Sequence, residues 1–230
     1  MSKIAIMGAM PEEIEPLLEK VENINKVEYA NNTYYEATYR GKELVIAYSK
    51  IGKVFSSLTA STLLEKFSCE KLLFSGVAGA INPALKIGDL IIADKLCQHD
   101  LDISIFGHDF GFVPEGAKFV ETDASLREIA KVVAKQNGRS LTEGTIATGD
   151  QFVASNERKE FISKNFKADA IEMEGASVAV VCDALNVPFF VLRAISDTAN
   201  DDAGMDFDEF MISSAKISAN FILDMVEKID

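Results

Sequence analysis

The segment "DAIEMEGASVAVV", Asp169 to Val181, sets Glu172 and Glu174 either side of Met173 inside a run that otherwise reads as buried chain. Charged carboxylates are rarely withdrawn from water without a partner or a task. Other acids follow strand-like runs: Glu12 and Glu13 in "GAMPEE", Asp150 in "TGDQF" and Asp197 in "RAISD". Carboxylates in contrasting environments are what a reaction needing one general acid and one general base would use. Taken singly, most have a plainer reading. Glu13 suits the first turn of a helix, where the dipole favours a negative charge, and Asp197 suits a turn or N-cap after a strand. Phe106, Phe152 and Phe207 read as core aromatics, and Met10 and Met173 as gap-fillers. Glu174 is the exception, because an acid between "AIEM" and "GASVAVV" is hard to solvate.

Other chemistries find less support. There are two histidines, His99 and His108, and no CxxC, and in "DTANDDAGMDFDE" Gly204 stands out of register with the acids for a calcium loop, so no metal site is expected. Ser75 in "FSGVAG" lies outside a GxSxG frame, and no histidine has a nucleophile beside it. The formal net charge of −13, with no stripe of Lys or Arg, is the wrong balance for gripping nucleic acid. No basic leader or membrane-length apolar run appears, so the expectation is a soluble cytoplasmic protein without membrane contact. Cys69, Cys97 and Cys182, odd in number and each in apolar context, read as small buried hydrophobes of a reducing compartment.

The elements that must position these acids alternate along the chain. Strand-like "KIAIMG", "ELVIAYS", "EKLLFSG", "DLIIADKLC", "GTIATGD", "DAIEM" and "FFVLRAIS" are interleaved with helical "KVFSSLTASTLLEKF" and "EGASVAVVCDAL". That pattern predicts an α/β fold over residues 1–230, a single domain with a mixed β-sheet flanked by helices. "TYYEATYR" alternates as an antiparallel strand with one wet face would, and "FDEFMISSAKISANFILDMVEKI" closes the chain as an amphipathic helix. Nearly every strand ends in a small or polar cluster. In an open α/β sheet, ligands bind at the carboxyl ends of the strands, so these clusters should converge on one pocket.

As a set, "IMGAMPEE", "YSKIGKV", "FSGVAGAI", "HDLDISIFG", "ATGDQFV", "AIEMEGASVA", "VLRAISDTA" and "FDEF" resemble the methylthioadenosine/S-adenosylhomocysteine nucleosidases, in order and spacing along essentially the whole chain. The resemblance implies the purine nucleoside phosphorylase/nucleosidase fold, a homodimer, an adenine nucleoside as substrate and no cofactor. It assigns Glu13 to water activation and Asp197, with Ser196 beside it, to protonation of the purine at N7. Met173 and Glu174 would hold the ribose. Phe152 and Val153 would stack on the base and read its edge, with Val77, Ala78 and Gly79 forming a backbone-lined wall. Met10, Ile51 and Phe207 would wall the sugar and its 5′-substituent, Arg193 would lie near the attacking water, and Ile103 and Phe106 would enter the partner subunit's pocket. Two departures from the pattern stand out: Val77 where serine is common, and Pro11 where a third glutamate is common. Proline is well tolerated at a first helical position; Pro16, a turn later, is expected to bend that helix.

The reaction so implied breaks an N-ribosyl bond through an oxocarbenium-like sugar, which needs an acid at the leaving base and a carboxylate orienting water. A free aspartic acid, with a pKa of about 3.9, is protonated roughly once in a thousand at pH 7. Asp197 must therefore be raised by burial or receive its proton only with purine bound. Glu172 is expected to point the other way from the pocket, toward a partner behind it. The combination of motifs further resembles a subgroup that also cleaves 6-amino-6-deoxyfutalosine in a menaquinone route. Alternatives are a nucleoside phosphorylase on the same fold and a non-catalytic nucleoside-binding protein.

Overall fold

Near-continuous apolar runs make the central strands, and their alternate residues face two different helical layers. The computed structural model describes residues 3–200 and 203–229; Asp201 and Asp202 of the acidic run before the last helix lie outside them. The chain runs β1 (Ile4–Gly8), α1 (Pro11–Leu18), β2 (Glu22–Tyr29), β3 (Asn32–Tyr39), β4 (Lys42–Tyr48), α2 (Lys53–Glu65), β5 (Lys71–Ala80) and β6 (Leu90–Gln98). A 3₁₀ turn at Ser104–Phe106 precedes β7 (Val120–Glu121), α3 (Ala124–Gln136), β8 (Leu141–Thr148) and α4 (Asn156–Phe166). Then come β9 (Ala170–Glu172), α5 (Gly175–Ala184), β10 (Phe189–Asp197) and α6 (Ala203–Val226).

All these strands belong to one mixed sheet. β5 is parallel to β1 and β10, β10 antiparallel to β6, β6 parallel to β8, β8 parallel to β9, and β9 returns antiparallel to the end of β5. These pairings close a ring on β5, and β1, β4, β3 and β2 extend from it as an open wing. Ala5, Val45, Leu72, Phe74 and Val191 pack with Ala60 and Leu63 of α2 and Val178 and Cys182 of α5. Their neighbours Ile4, Ile6, Leu73, Phe190 and Leu192 pack with Ile14 of α1, Val133 of α3 and Ile222 of α6. The period of two thus separates the two layers, as it must where both faces of a sheet are covered. All three cysteines are buried and unpaired, and burial pushes their thiols up to about 12.

The named strand runs and helices fall where the periodicity puts them, including the wet-faced β3 and the closing α6. Four elements were missing from the expectation: β2, β7, α3 and α4. β2 is an edge strand with almost every side chain in water, so no apolar stripe marks it, and its charged residues suit an exposed edge. It turns into β3 through Ala30 and Asn31, both left-handed (φ 49° and 57°). α3 and α4 carry legible start signals, since Asp123 accepts the Leu126 amide at 2.9 Å and Ser155 the Arg158 amide at 3.3 Å. Pro11 opens α1 at its first turn, and the helix ends two residues after Pro16.

Candidate active site

The carboxyl ends of β1, β5, β8, β9 and β10 meet around a cavity of about 320 Å³. From the β1–α1 connection come Met10 and Glu13; from the end of β5, Val77, Ala78 and Gly79; from the loop after β8, Phe152 and Val153. Met173 and Glu174 follow β9, Ser196 and Asp197 end β10, Ile51 precedes α2, and Phe207 stands on the first turns of α6. Ala9, Gln151 and Ile171 also line it without having been singled out; each adjoins a motif residue, and its type carries no chemical signal. The lining contains no Lys or Arg.

Glu13 is 2 % exposed. Its Oε2 accepts the amides of Ala9 at 2.5 Å and Met10 at 3.1 Å, and its Oε1 accepts the Val77 amide at 3.0 Å. The Met10 bond is the glutamate half of a capping box, a side chain reaching back three residues to the start of its own helix, and the Ala9 amide, one residue earlier, donates to the same oxygen. Burial raises its pKa, while Arg193 and these three amides pull it down. The carboxylate fits because Gly76 has no side chain: a Cβ there would come within 2.7 Å of Glu13 Oε1.

Asp197, 4 % exposed, accepts from Ser196 Oγ at 2.9 Å and the Ala199 amide at 2.9 Å. Burial raises its pKa above the ordinary range; Ala199, Ser196 and Lys159 oppose the shift and Asp206 adds to it. Here too a glycine makes room, since a Cβ on Gly79 would lie 2.6 Å from Asp197 Oδ1. At about 3.3 Å per strand residue, the contact points at Gly76 and Gly79 are about 10 Å apart.

Glu174, 6 % exposed, accepts the Gly52 amide at 2.8 Å, and burial together with the nearby Glu172 pushes its pKa up to about 8. Gly52 caps the N-terminus of α2 with φ 98°, a backbone conformation that favours glycine. The expectation that Glu172 points away from the pocket is corrected, since both glutamates reach its wall: residues two apart on an extended segment share a face, and β9 runs to Glu172 before Glu174 departs from it (φ −135°, ψ −38°). Glu172 does find a partner behind the wall: Arg193 Nη2 at 2.8 Å, with the Gly175 amide at 2.7 Å and a very short bond from Thr148 Oγ1.

Arg193 is the correction among the expected site residues. It does not reach the cavity surface; it is 1 % exposed, donates to the carbonyls of Phe74 and Leu192, and lies 4.0 Å from the Phe74 ring centroid. Four residues before Asp197, it is about 13 Å deeper along β10. It bonds Glu172 directly and acts on Glu13 and Glu174 through its charge, from behind the wall. Ile103 and Phe106 are also off this cavity; Phe106, on the 3₁₀ turn, is 77 % exposed and faces outward.

A ring of strands with helices on both faces and a cavity at the strands' carboxyl ends is the architecture of the purine nucleoside phosphorylase and nucleosidase class. The chain belongs to the phosphorylase superfamily, whose family model matches residues 3–227. It is 59 % identical over 229 residues to the aminodeoxyfutalosine nucleosidase of Campylobacter jejuni, covering 100 % of both chains. It is 36 % identical to the 5′-methylthioadenosine/S-adenosylhomocysteine nucleosidase of Bacillus licheniformis, over 99 % of this chain and 100 % of that one. A crystal structure of a Helicobacter pylori nucleosidase mutant with 5′-methylthioadenosine in its active site superposes at a TM-score of 0.98, with 50 % identity over 100 % of both chains.

Proposed function

We propose that the protein is an N-ribosyl hydrolase that releases adenine from 5′-methylthioadenosine, S-adenosylhomocysteine and 6-amino-6-deoxyfutalosine, with water as the nucleophile. The carrying observation is the convergence of Glu13, Glu174 and Asp197 on one cavity that no lysine or arginine lines. Relatives named for each of these reactions match the chain along its whole length.

In this reading Asp197 is the acid at the purine. Burial keeps its proton at a higher pH than water would, and Ser196 Oγ and the Ala199 amide hold the carboxylate as it ionises. Donation to N7 makes the base a neutral leaving group. Glu13 is the base: three backbone amides fix its orientation, and its raised pKa makes it a better proton acceptor than a solvated glutamate. Glu174, bound to the ribose hydroxyls, offsets the positive charge that grows on the sugar, so its contribution increases toward the transition state. Met173 packs under the ribose, Phe152 stacks on the base, and Val153 reads its edge through the backbone. The 5′ side is walled by Met10, Ile51 and Phe207, with Phe207 edge-on to Phe152 at 5.6 Å. Apolar walls of that kind discriminate weakly among 5′-substituents, which supports a shared adenine-ribose half and several substrates.

Phosphate is disfavoured as nucleophile. A phosphate charge about 4 Å from one carboxylate is opposed by about 4 kcal/mol at an effective dielectric of 20, and the nearby guanidinium is already held by Glu172. A homodimer is supported by exposed apolar side chains on α2 (Val54, Phe55, Leu58), by Val180 on the adjoining α5, and by Ile105 and Phe106 of the 3₁₀ turn. A second copy placed on this face would bring Ile103 and Phe106 toward the neighbouring pocket. Among the described residues, no helix is long and apolar enough to cross a membrane.

The experiment is adenine release from methylthioadenosine in phosphate-free buffer, with the sugar product identified. Free methylthioribose is the expected product; release only on adding phosphate, with a sugar 1-phosphate formed, would overturn hydrolysis. Asp197→Asn should lower kcat by about 10²–10⁴-fold, and an unchanged rate would remove the proposed acid. Comparison of kcat/KM among the three nucleosides tests the substrate range: a value for aminodeoxyfutalosine thousands of times below the others would exclude it.

A further inference from the structure

Three charged side chains that do not line the cavity tie together the loops that do. The Lys53 amide donates to Asp150 Oδ1 at 2.8 Å, the Asp150 amide donates to Asp100 Oδ2 at 2.8 Å, and Lys53 Nζ returns to Asp100 Oδ1 at 2.7 Å, closing a ring. Lys53 Nζ also reaches Gln98 Oε1 at 3.3 Å. Lys53 and Asp150 each adjoin a wall of the cavity, and Asp100 joins them from the connection after β6, which stands off it. Lys53 begins α2, directly after Gly52, whose amide holds Glu174. Asp150 directly precedes Gln151, Phe152 and Val153. Asp100 follows β6 and leads to the turn carrying Phe106.

The ring is not an ordinary surface ion pair, since the side chains of Lys53 and Asp100 are 19 % and 23 % exposed. Both oxygens of Asp100 are occupied, one by a cation and one by an amide. An asparagine offers one acceptor oxygen where the aspartate offers two, so one of those donors would lose its partner. Asp150 Oδ1 also lies 3.0 Å from where a Cβ on Gly52 would stand, so the ring is set in space that only a glycine leaves beside the amide delivered to Glu174.

We propose that Asp100 is a positioning residue of the nucleoside site: through Lys53 and Asp150 it holds the Gly52 amide against the Glu174 carboxylate and sets the Phe152–Val153 segment for the base. The role rests on the nucleosidase reading. With the ring opened, Glu174 loses its amide donor. The carboxylates of Glu172 on β9 and Glu13 on α1 then face it, opposed only by Arg193 on β10. Ionising Glu174 becomes harder, so the acid limb of the kcat/KM profile moves to higher pH.

The test uses full-length Asp100→Asn, Lys53→Met and Lys53→Arg. Activity of the wild type on methylthioadenosine is measured first, and its absence on all three nucleosides would refute the nucleosidase reading and this role with it. Given an active wild type, Asp100→Asn and Lys53→Met should lower kcat/KM by about 10–100-fold, a loss of the size small misplacements produce. The loss should fall mainly on KM, and the acid limb should rise by about half a pH unit or more. Lys53→Arg keeps a cation within reach of Asp100 and should retain most of the activity. Folded Asp100→Asn and Lys53→Met with wild-type KM and an unmoved limb would overturn the proposal. Failure of both to unfold cooperatively would make the ring a stability element and overturn it equally.

Discussion

Glu174 carries the clearest conflict between folding and function at the scale of single residues. Its pKa of about 8 stands above the ordinary glutamate value of 4.5, so the native state holds a proton that the unfolded chain has already released. The stabilisation from holding that proton is fully present below pH 4.5 and is lost as the pH rises through 8. Glu174→Gln has no proton to lose. Its Tm should therefore gain on the wild type between pH 5 and pH 9 by at least about 3 °C while turnover falls severely. A pH-independent difference in Tm would show that the carboxylate is not held protonated. Asp197 and Glu13 are perturbed in the same direction, each by burial first, so all three acids of the proposed chemistry are harder to ionise than they would be in water. Glu172 is held from behind the wall by Arg193 and Thr148.

Strand β5 is the element that sets the spacing of the site. It pairs with β1, β10 and β9 along its length, so its backbone cannot move away from an added side chain. Gly76 and Gly79 clear the space that Glu13 and Asp197 occupy, both on the half of β5 facing the cavity. Gly79→Ala should push Asp197 from its Ser196 and Ala199 partners and lower kcat by about 10²-fold or more, since small displacements of reacting groups have effects of that order. Circular dichroism should stay native, and a fully active Gly79→Ala would show that Asp197 tolerates displacement. α2 works from the opposite wall. Its N-terminus delivers the Gly52 amide to Glu174, and Ser56 Oγ of α2 meets Ser177 Oγ of α5 at 2.6 Å, which locks that delivery to the helix following Glu174.

At the scale of the whole molecule, the apolar residues on α2, α5 and the 3₁₀ turn are the feature a lone protomer leaves unexplained. Phe55 is 46 % exposed and Ile105 87 % exposed, and side chains of this kind grouped on neighbouring elements mark an interface. Phe55→Glu should convert a dimer to a monomer in sedimentation and lower kcat/KM by at least about tenfold, because the neighbouring pocket would lose its Ile103 and Phe106. A wild type that sediments as an active monomer would contradict the dimer.

The local patterns carried much of this protein. Period-two apolar runs located most strands, the small and polar clusters after them located the cavity, and the joint occurrence of "GAMPEE", "EMEG" and "RAISD" pointed to the family. β2 escaped because an edge strand in water has no apolar stripe, whereas the caps of α3 and α4 were legible and went unread. What tertiary structure alone decided was which acids share a space and which groups stand behind them. Arg193 sits beneath the wall because depth along a strand has no signature in residue type. Glu172 and Glu174 face the same pocket because residues two apart at a strand end share a face, whereas the partners behind Glu172 come from β8 and β10. The ring of Lys53, Asp100 and Asp150 was invisible because its partners lie on three separate loops, and only the closed sheet brings those loops within hydrogen-bonding distance.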